Sequence, residues 1–166
     1  MAITACGGPA VSGQPTSAPE TSSTSDTAAS SSSPTSGGSL EDTDPCSFLT
    51  KSEAEQLTGA QRKDPAPEKL GSARVCGFSP ESASFGIGIR TNVGLAGVQP
   101  NGGVIEEIVV GRHQAKQLLG ATGSCGIYIG VTDSSRVDVV LNSGSSDKDP
   151  CPLARQIAEF IEPRLP

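Results

Sequence analysis

The sequence predicts an α+β domain: an antiparallel sheet of five or six strands, with a short N-terminal helix and a C-terminal amphipathic helix on one face, braced by two disulfides. Three observations carry this expectation. The middle of the chain alternates apolar with small or polar residues at period two, the pattern of half-buried strands. Segments on either side of it carry helical start signals and helical spacing. Four cysteines, Cys46, Cys76, Cys125 and Cys151, are spread over the same stretch with no CxxC pair.

The first residues do not belong to that domain. Met1-Ala2-Ile3-Thr4-Ala5-Cys6 ends in Ile3-Thr4-Ala5-Cys6, a bacterial lipobox pattern: an aliphatic residue, then small residues that fit the shallow pockets of a signal peptidase, then a cysteine. Residues 1–6 therefore read as the remnant of a lipoprotein signal, with Cys6 as the lipidated residue. Only five residues precede it, too few for the basic and apolar regions of a full secretory signal. Gly7 to Pro45 consists mainly of Ser, Thr, Pro, Gly and Ala, with Val11 and Leu40 its only larger apolar side chains. Such a stretch buries too little apolar surface to offset an ordering cost of about 1–2 kcal/mol per residue. Residues 7–45 are expected to be a disordered linker and 46–166 a single domain.

Within the domain, Thr50-Lys51-Ser52-Glu53 is a capping box that opens a helix. Ala54 and Leu57 face inward, and Gly59 closes it. Cys76 enters the first strand. Phe85, Ile87 and Ile89 then alternate with Gly86, Gly88 and Arg90, and Ile105 to Val110 form a further strand. Ala115 to Leu119 reads equally as helix or strand, because Gly111 to Gln114 is able to turn a hairpin. Cys125, Ile127, Ile129 and Val131 alternate with Gly126, Tyr128 and Gly130, and Val137, Val139 and Leu141 with Asp138, Val140 and Asn142. The short turn Asp133-Ser134-Ser135 makes this last pair a hairpin. The final helix is capped by Asp149, accepts Pro150 in its first turn and stops at Pro163. Its stripe of Leu153, Ile157, Phe160 and Ile161 should lie on the sheet, with Arg155, Gln156, Glu159 and Glu162 facing water.

The four cysteines allow three pairings. The helix and strand placements favour Cys46–Cys76 and Cys125–Cys151, each tying the end of a helix to a strand. The crossed pairing of Cys46 with Cys151 and Cys76 with Cys125 is the rival. A disulfide framework places the domain outside the cytoplasm.

Composition disfavours several functions. Five of the 18 acidic residues precede Cys46 and none of the 12 basic ones do, so 13 acids face 12 bases in the domain. That near balance provides no basic stripe for nucleic acid or anionic lipid. No Trp, one Tyr and four Phe leave few rings on which to stack sugars or bases.

Resemblance adds a family. Cys46-Ser47-Phe48-Leu49-Thr50, Cys76-Gly77-Phe78, Gly123-Ser124-Cys125, Asp149-Pro150-Cys151 and the closing Pro163-Arg164-Leu165-Pro166 together resemble an actinobacterial lipoprotein family defined only as a domain of unknown function. The likeness covers nearly the whole chain after the linker. It implies a lipidated Cys6, a cell-envelope address on the outer face of the membrane and paired domain cysteines. It carries over no catalytic residue. That family often has tryptophan close to the position of Phe78, a conservative departure.

The search for chemistry returns little. A hydrolase would have to use His113, the only histidine, and no G-x-S-x-G elbow accompanies it. Ser124, flanked by Gly123 and an oxidised Cys125, reads as a turn entering a strand. Glu106 and Glu107 are adjacent on a strand and point to opposite faces. No residue pattern calls for a metal or cofactor, and the glycine-rich run to Gly103 lacks the Lys-Ser/Thr of a phosphate loop. Two features point to binding instead. Gly86, Gly88, Gly126 and Gly130 all lie opposite the apolar faces of their strands, leaving a sheet face bare of side chains. Val93 to Val104 is a loop long enough to form a contact surface. The expectation is a non-catalytic envelope module, tethered through lipid on Cys6, that binds a protein or a small apolar ligand. A secreted hydrolase built on His113 is the alternative.

Overall fold

The computed structural model describes residues 39–143 and 148–166. Cys6 and the linker up to residue 38 lie outside the described residues. A 3₁₀ turn at Pro45–Ser47 leads into α1 (Lys51–Thr58), followed by β1 (Ala66–Leu70), β2 (Ala73–Phe78) and β3 (Ser84–Arg90). After a second 3₁₀ turn at Leu95–Gly97 come β4 (Val104–Val110), β5 (His113–Leu119), β6 (Ser124–Thr132) and β7 (Ser135–Asn142). The chain ends in α2 (Cys151–Ile161) and a 3₁₀ turn at Glu162–Arg164.

The strands make one antiparallel sheet of seven in the order β1-β2-β3-β7-β6-β5-β4. This exceeds the five or six strands expected. The added strand is β1, whose sequence Ala-Pro-Glu-Lys-Leu has no apolar alternation. It is an edge strand and almost wholly exposed, where Pro67 breaks no interior ladder. The ambiguous segment at Ala115–Leu119 is strand β5, turned back from β4 at Gly111 and Arg112.

One face of the sheet is the core. Ile87, Ile89, Ile127, Ile129, Val137 and Val139 are all at most 1% exposed. Burying each such side chain contributes roughly 1.5–3 kcal/mol. α2 covers β6 and β7, and the turn at Pro45–Ser47 covers β2 and β3, so the helical pieces share this face. Phe78 and Phe85, opposite one another on β2 and β3, stack with ring centroids 4.5 Å apart. Among the described residues no helix is long and apolar enough to cross a membrane.

Two disulfides close over this core. Cys46 joins Cys76 with Cα atoms 4.9 Å apart, and Cys125 joins Cys151 at 5.1 Å, both inside the range of roughly 4.4–6.8 Å that a disulfide spans. The α1 capping box forms as well. Thr50 Oγ1 accepts from the Glu53 N–H, and Glu53 Oε2 accepts from the Thr50 N–H at 2.9 Å. Asp149 Oδ1 accepts from the Cys151 N–H at 2.9 Å, although Pro150 occupies the N-cap position.

Three expectations need correction. Leu40, assigned by composition to the linker, is 5% exposed and belongs to the core. Arg74 holds it there, bonding the carbonyls of Leu40 and Thr43, so Leu40 belongs to the folded unit. Phe160 is not a core residue. It lies partly exposed beneath the Arg164 guanidinium, and Ala154 and Ala158 take the buried side of the stripe with Ile157 and Ile161. Glu162 does not face water: it is buried, because the helix runs on through Pro163 as a 3₁₀ turn and swings the carboxylate beneath the β4–β5 hairpin.

Candidate functional site

The second face of the sheet is open over β2, β3 and β7 and forms a groove of about 790 Å³, within the usual range for small-molecule sites. Its floor is set by strand register. On β3 the outward residues are Ser84, Gly86, Gly88 and Arg90. Opposite them on β7 stand Asn142, Val140, Asp138 and Arg136, and on β2 Gly77 faces Gly86 while Val75 faces Gly88. Gly86 and Gly88 leave a hollow between Val75 and Val140, whereas Gly77 lies beneath the Glu68 carboxylate, whose Oε1 would be 2.7 Å from a Cβ placed there.

The far wall comes from the connection between β3 and β4. It must run from the centre of the sheet to its far edge, and it crosses the open face of β6 and β5 on the way. Arg136 pins it through a 2.7 Å bond from Nη1 to the Gly94 carbonyl. Gly97, Val98, Gln99 and Asn101 then line the groove. The loop from Val93 to Val104 is thus a built wall, closed by internal turns such as Gly103 N–H to Pro100 O at 2.7 Å.

The four glycines singled out in the sequence fall into two pairs. Gly86 and Gly88 belong to the groove floor. Gly126 and Gly130 do not. A Cβ on Gly126 would lie 2.6 Å from the Tyr128 hydroxyl oxygen, and one on Gly130 would lie 2.8 Å from Leu95. Both positions are small because a neighbouring side chain folds over them, not because a ligand approaches.

Sequence reasoning missed the polar end of the groove. Arg136 Nε donates to Asp138 Oδ1 at 2.7 Å, and Arg90 Nε donates to Asp138 Oδ2 at 3.1 Å. Arg136 also stacks on the Tyr128 ring, with Cζ 5.3 Å from the centroid. Burial pushes the Asp138 carboxyl above its ordinary value, against the opposing pull of Arg136 and Arg90. Burial likewise raises the Tyr128 phenol, helped by the Asp138 charge. The signal was in the chain, since Arg136 and Asp138 two apart on a strand must share a face. Arg90 joins them only through the β3–β7 register.

The remaining candidates lie elsewhere. His113 sits on the other side of the molecule's chemistry: Nδ1 is 2.7 Å from Glu162 Oε1 and Nε2 is 3.3 Å from the Pro166 carbonyl oxygen. It lines no part of the groove, and its contacts include no hydroxyl among the described residues. Glu162 also accepts from the Arg112 N–H at 3.1 Å. Burial works against the Glu162 charge, but the Arg112 amide, His113 and the Arg112 guanidinium together hold its carboxyl below the ordinary value. Gly111 has φ +56° and no room for a Cβ above that carboxylate. The arrangement is a clasp between hairpin and C-terminus. Glu106 and Glu107 are exposed on the edge strand β4. Cys125 is oxidised, which removes it as a nucleophile.

A family model described as a protein of unknown function, DUF3558, matches residues 1–164. The chain belongs to this DUF3558 family. Neither the curated proteins nor the solved structures provide a match. For this DUF3558 chain the groove, with its glycine floor, ordered wall and ionic end, is the arrangement best suited to contact another molecule.

Proposed function

We propose that this DUF3558 chain is an extracytoplasmic, lipid-anchored binding protein without catalytic activity, whose groove over β2, β3 and β7 takes a small, largely apolar ligand. The observation that carries the reading is the floor of Gly86 and Gly88 between Val75 and Val140, walled by Val98. Glycine in a strand forfeits side-chain packing, and a close approach by another molecule is one of the reasons strands carry it. Two disulfides support an oxidising compartment. The lipobox Ile3-Thr4-Ala5-Cys6 supports a lipid anchor on Cys6; mass spectrometry of the membrane fraction of the native host should find Cys6 acylated, and an unmodified soluble form would remove that part.

The groove is tested with the neutral probe N-phenyl-1-naphthylamine. Its fluorescence should rise saturably on mixing with the protein. Gly88→Leu should abolish that rise while keeping the wild-type melting temperature, since the new side chain projects into the hollow. Absence of saturable binding, or wild-type binding by the Gly88→Leu variant, would overturn the reading.

A further inference from the structure

We infer that the groove selects a long-chain carboxylate, seating its head on Arg90 and laying its chain along the glycine floor. This rests on the groove being a ligand site and goes on to name what that ligand must be.

At one end of the groove two guanidinium groups, Arg90 and Arg136, share the single carboxylate of Asp138. Arg136 is committed: Nε and Nη2 face Asp138, Nη1 bonds the Gly94 carbonyl, and its side chain is only 6% exposed. Arg90 is not. Its Nε bonds Asp138 and its Nη1 bonds Ser72 Oγ at 3.0 Å, while Nη2 makes no hydrogen bond among the described residues. Its side chain is 24% exposed and lines the groove. The cluster therefore holds one positive charge more than negative, in a cleft where charges are costly unless paired. One negative charge from outside completes it. A carboxylate is the compact planar partner that a guanidinium edge accepts in two-point contact.

Shape then defines what is attached to that head. From Arg90 the outward row of β3 continues through Gly88 and Gly86 to Ser84. The six steps from Ser84 to Arg90, at about 3.3 Å each, make a track about 20 Å long. Along it Val75 and Val140 are the side walls, and the Val98 side of the crossing loop stands above. The far end carries Ser84 and Asn142, and the Glu68 carboxylate lies over Gly77 beside it, with Lys63 also on the lining. The groove's excess positive charge lies at the Arg90 end, so an anionic head is drawn there and away from the Glu68 carboxylate. A molecule with an anionic head and an extended apolar chain meets both features. A compact dianion would leave the track empty, and a neutral hydrocarbon would leave Arg90 unpaired.

The experiment compares cis-parinaric acid with its methyl ester by fluorescence titration of the full chain. The wild type should bind the acid about tenfold more tightly than the ester, the scale of a hydrogen bond to a charged group. In Arg90→Gln the acid-to-ester ratio should fall to about one, and Arg90→Lys should keep part of the preference. Equal binding of acid and ester by the wild type would overturn the carboxylate assignment and leave the groove standing. No saturable binding of either probe would overturn the groove itself. Should Arg90→Gln not fold, the wild-type ratio is followed from low to high salt. Shrinkage of the ratio supports pairing with an exposed cation, and a ratio independent of salt overturns it.

Discussion

The two faces of one sheet behave as two different materials although they share the same strands. On the inner face β3, β7 and β6 present Ile87, Ile89, Val137, Val139, Ile127 and Ile129, all at most 1% exposed, with α2 over β6 and β7 and the Pro45–Ser47 turn over β3. On the outer face the same strands present Gly86, Gly88, Asp138, Arg136 and Tyr128. The alternation that builds a dense core on one side leaves a hollow on the other, since consecutive side chains point to opposite faces. Stability is therefore concentrated on one surface of the sheet. The other surface is free to be thinned to glycine, and it is given form by a crossing loop and one ionic cluster rather than by packing.

The largest effect should separate the faces directly. Ile127→Ala removes a fully buried side chain and should lower the unfolding free energy by about 2–5 kcal/mol. Val140→Ala, on the half-buried groove side, should cost less than about 1 kcal/mol. Urea unfolding measures both, and equal losses would end the distinction between a packed and an open face.

The second effect concerns how the inner face is closed. Arg164 reaches from the C-terminal turn to Glu53, with Nη2 2.5 Å from Oε1, and to the Phe48 carbonyl at 2.6 Å. The Arg164 hydrogen bond, aided by the Thr50 backbone and hydroxyl and opposed by burial, holds the Glu53 carboxyl down at about 2 against an ordinary 4.5. A depressed carboxyl contributes stability that is complete above its unfolded value and is lost as pH falls through its folded one. Glu53→Gln should thus cost about 1–3 kcal/mol at neutral pH. The gap between variant and wild type should close as pH falls from about 4.5 toward about 2. Thermal melts across that range check it; a gap that persists at the acid end would mean that the carboxylate does not close the fold.

The smallest effect sharpens the comparison within the outer face. Gly126→Ala forces the Tyr128 ring away and should cost about 1–3 kcal/mol, the range for overpacking. Gly88→Ala meets only ordinary contacts with Val75 and Asp138. It should leave stability unchanged or raise it by up to about 1 kcal/mol, since alanine orders a strand at less entropic cost than glycine. Melting temperatures of the two variants decide, and identical behaviour would mean that the Tyr128 ring does not fill the space above Gly126.

Local chemistry made much of this legible in the chain. The Thr50–Glu53 capping box, the period-two strands from Phe85 to Leu141 and the hairpin at Asp133 depend on neighbours within a few residues, and all of them form. β1 stayed hidden because an edge strand needs no apolar alternation, and Leu40 because a single buried residue in a polar stretch has no pattern to reveal it. Gly86 and Gly88 were marked as a bare surface by alternation alone, and so were Gly126 and Gly130. Gly126 is covered by the Tyr128 ring two residues along its own strand, and Gly130 by Leu95 of the β3–β4 crossing, a path across the sheet that no local pattern encodes. The same holds for the meeting of Arg90, Asp138 and Arg136 and for the burial of Glu162 under the β4–β5 turn. Periodicity records which way a side chain points, because it is a property of the backbone. Strand order and register, set by the collapse of the whole inner face, choose what it meets there.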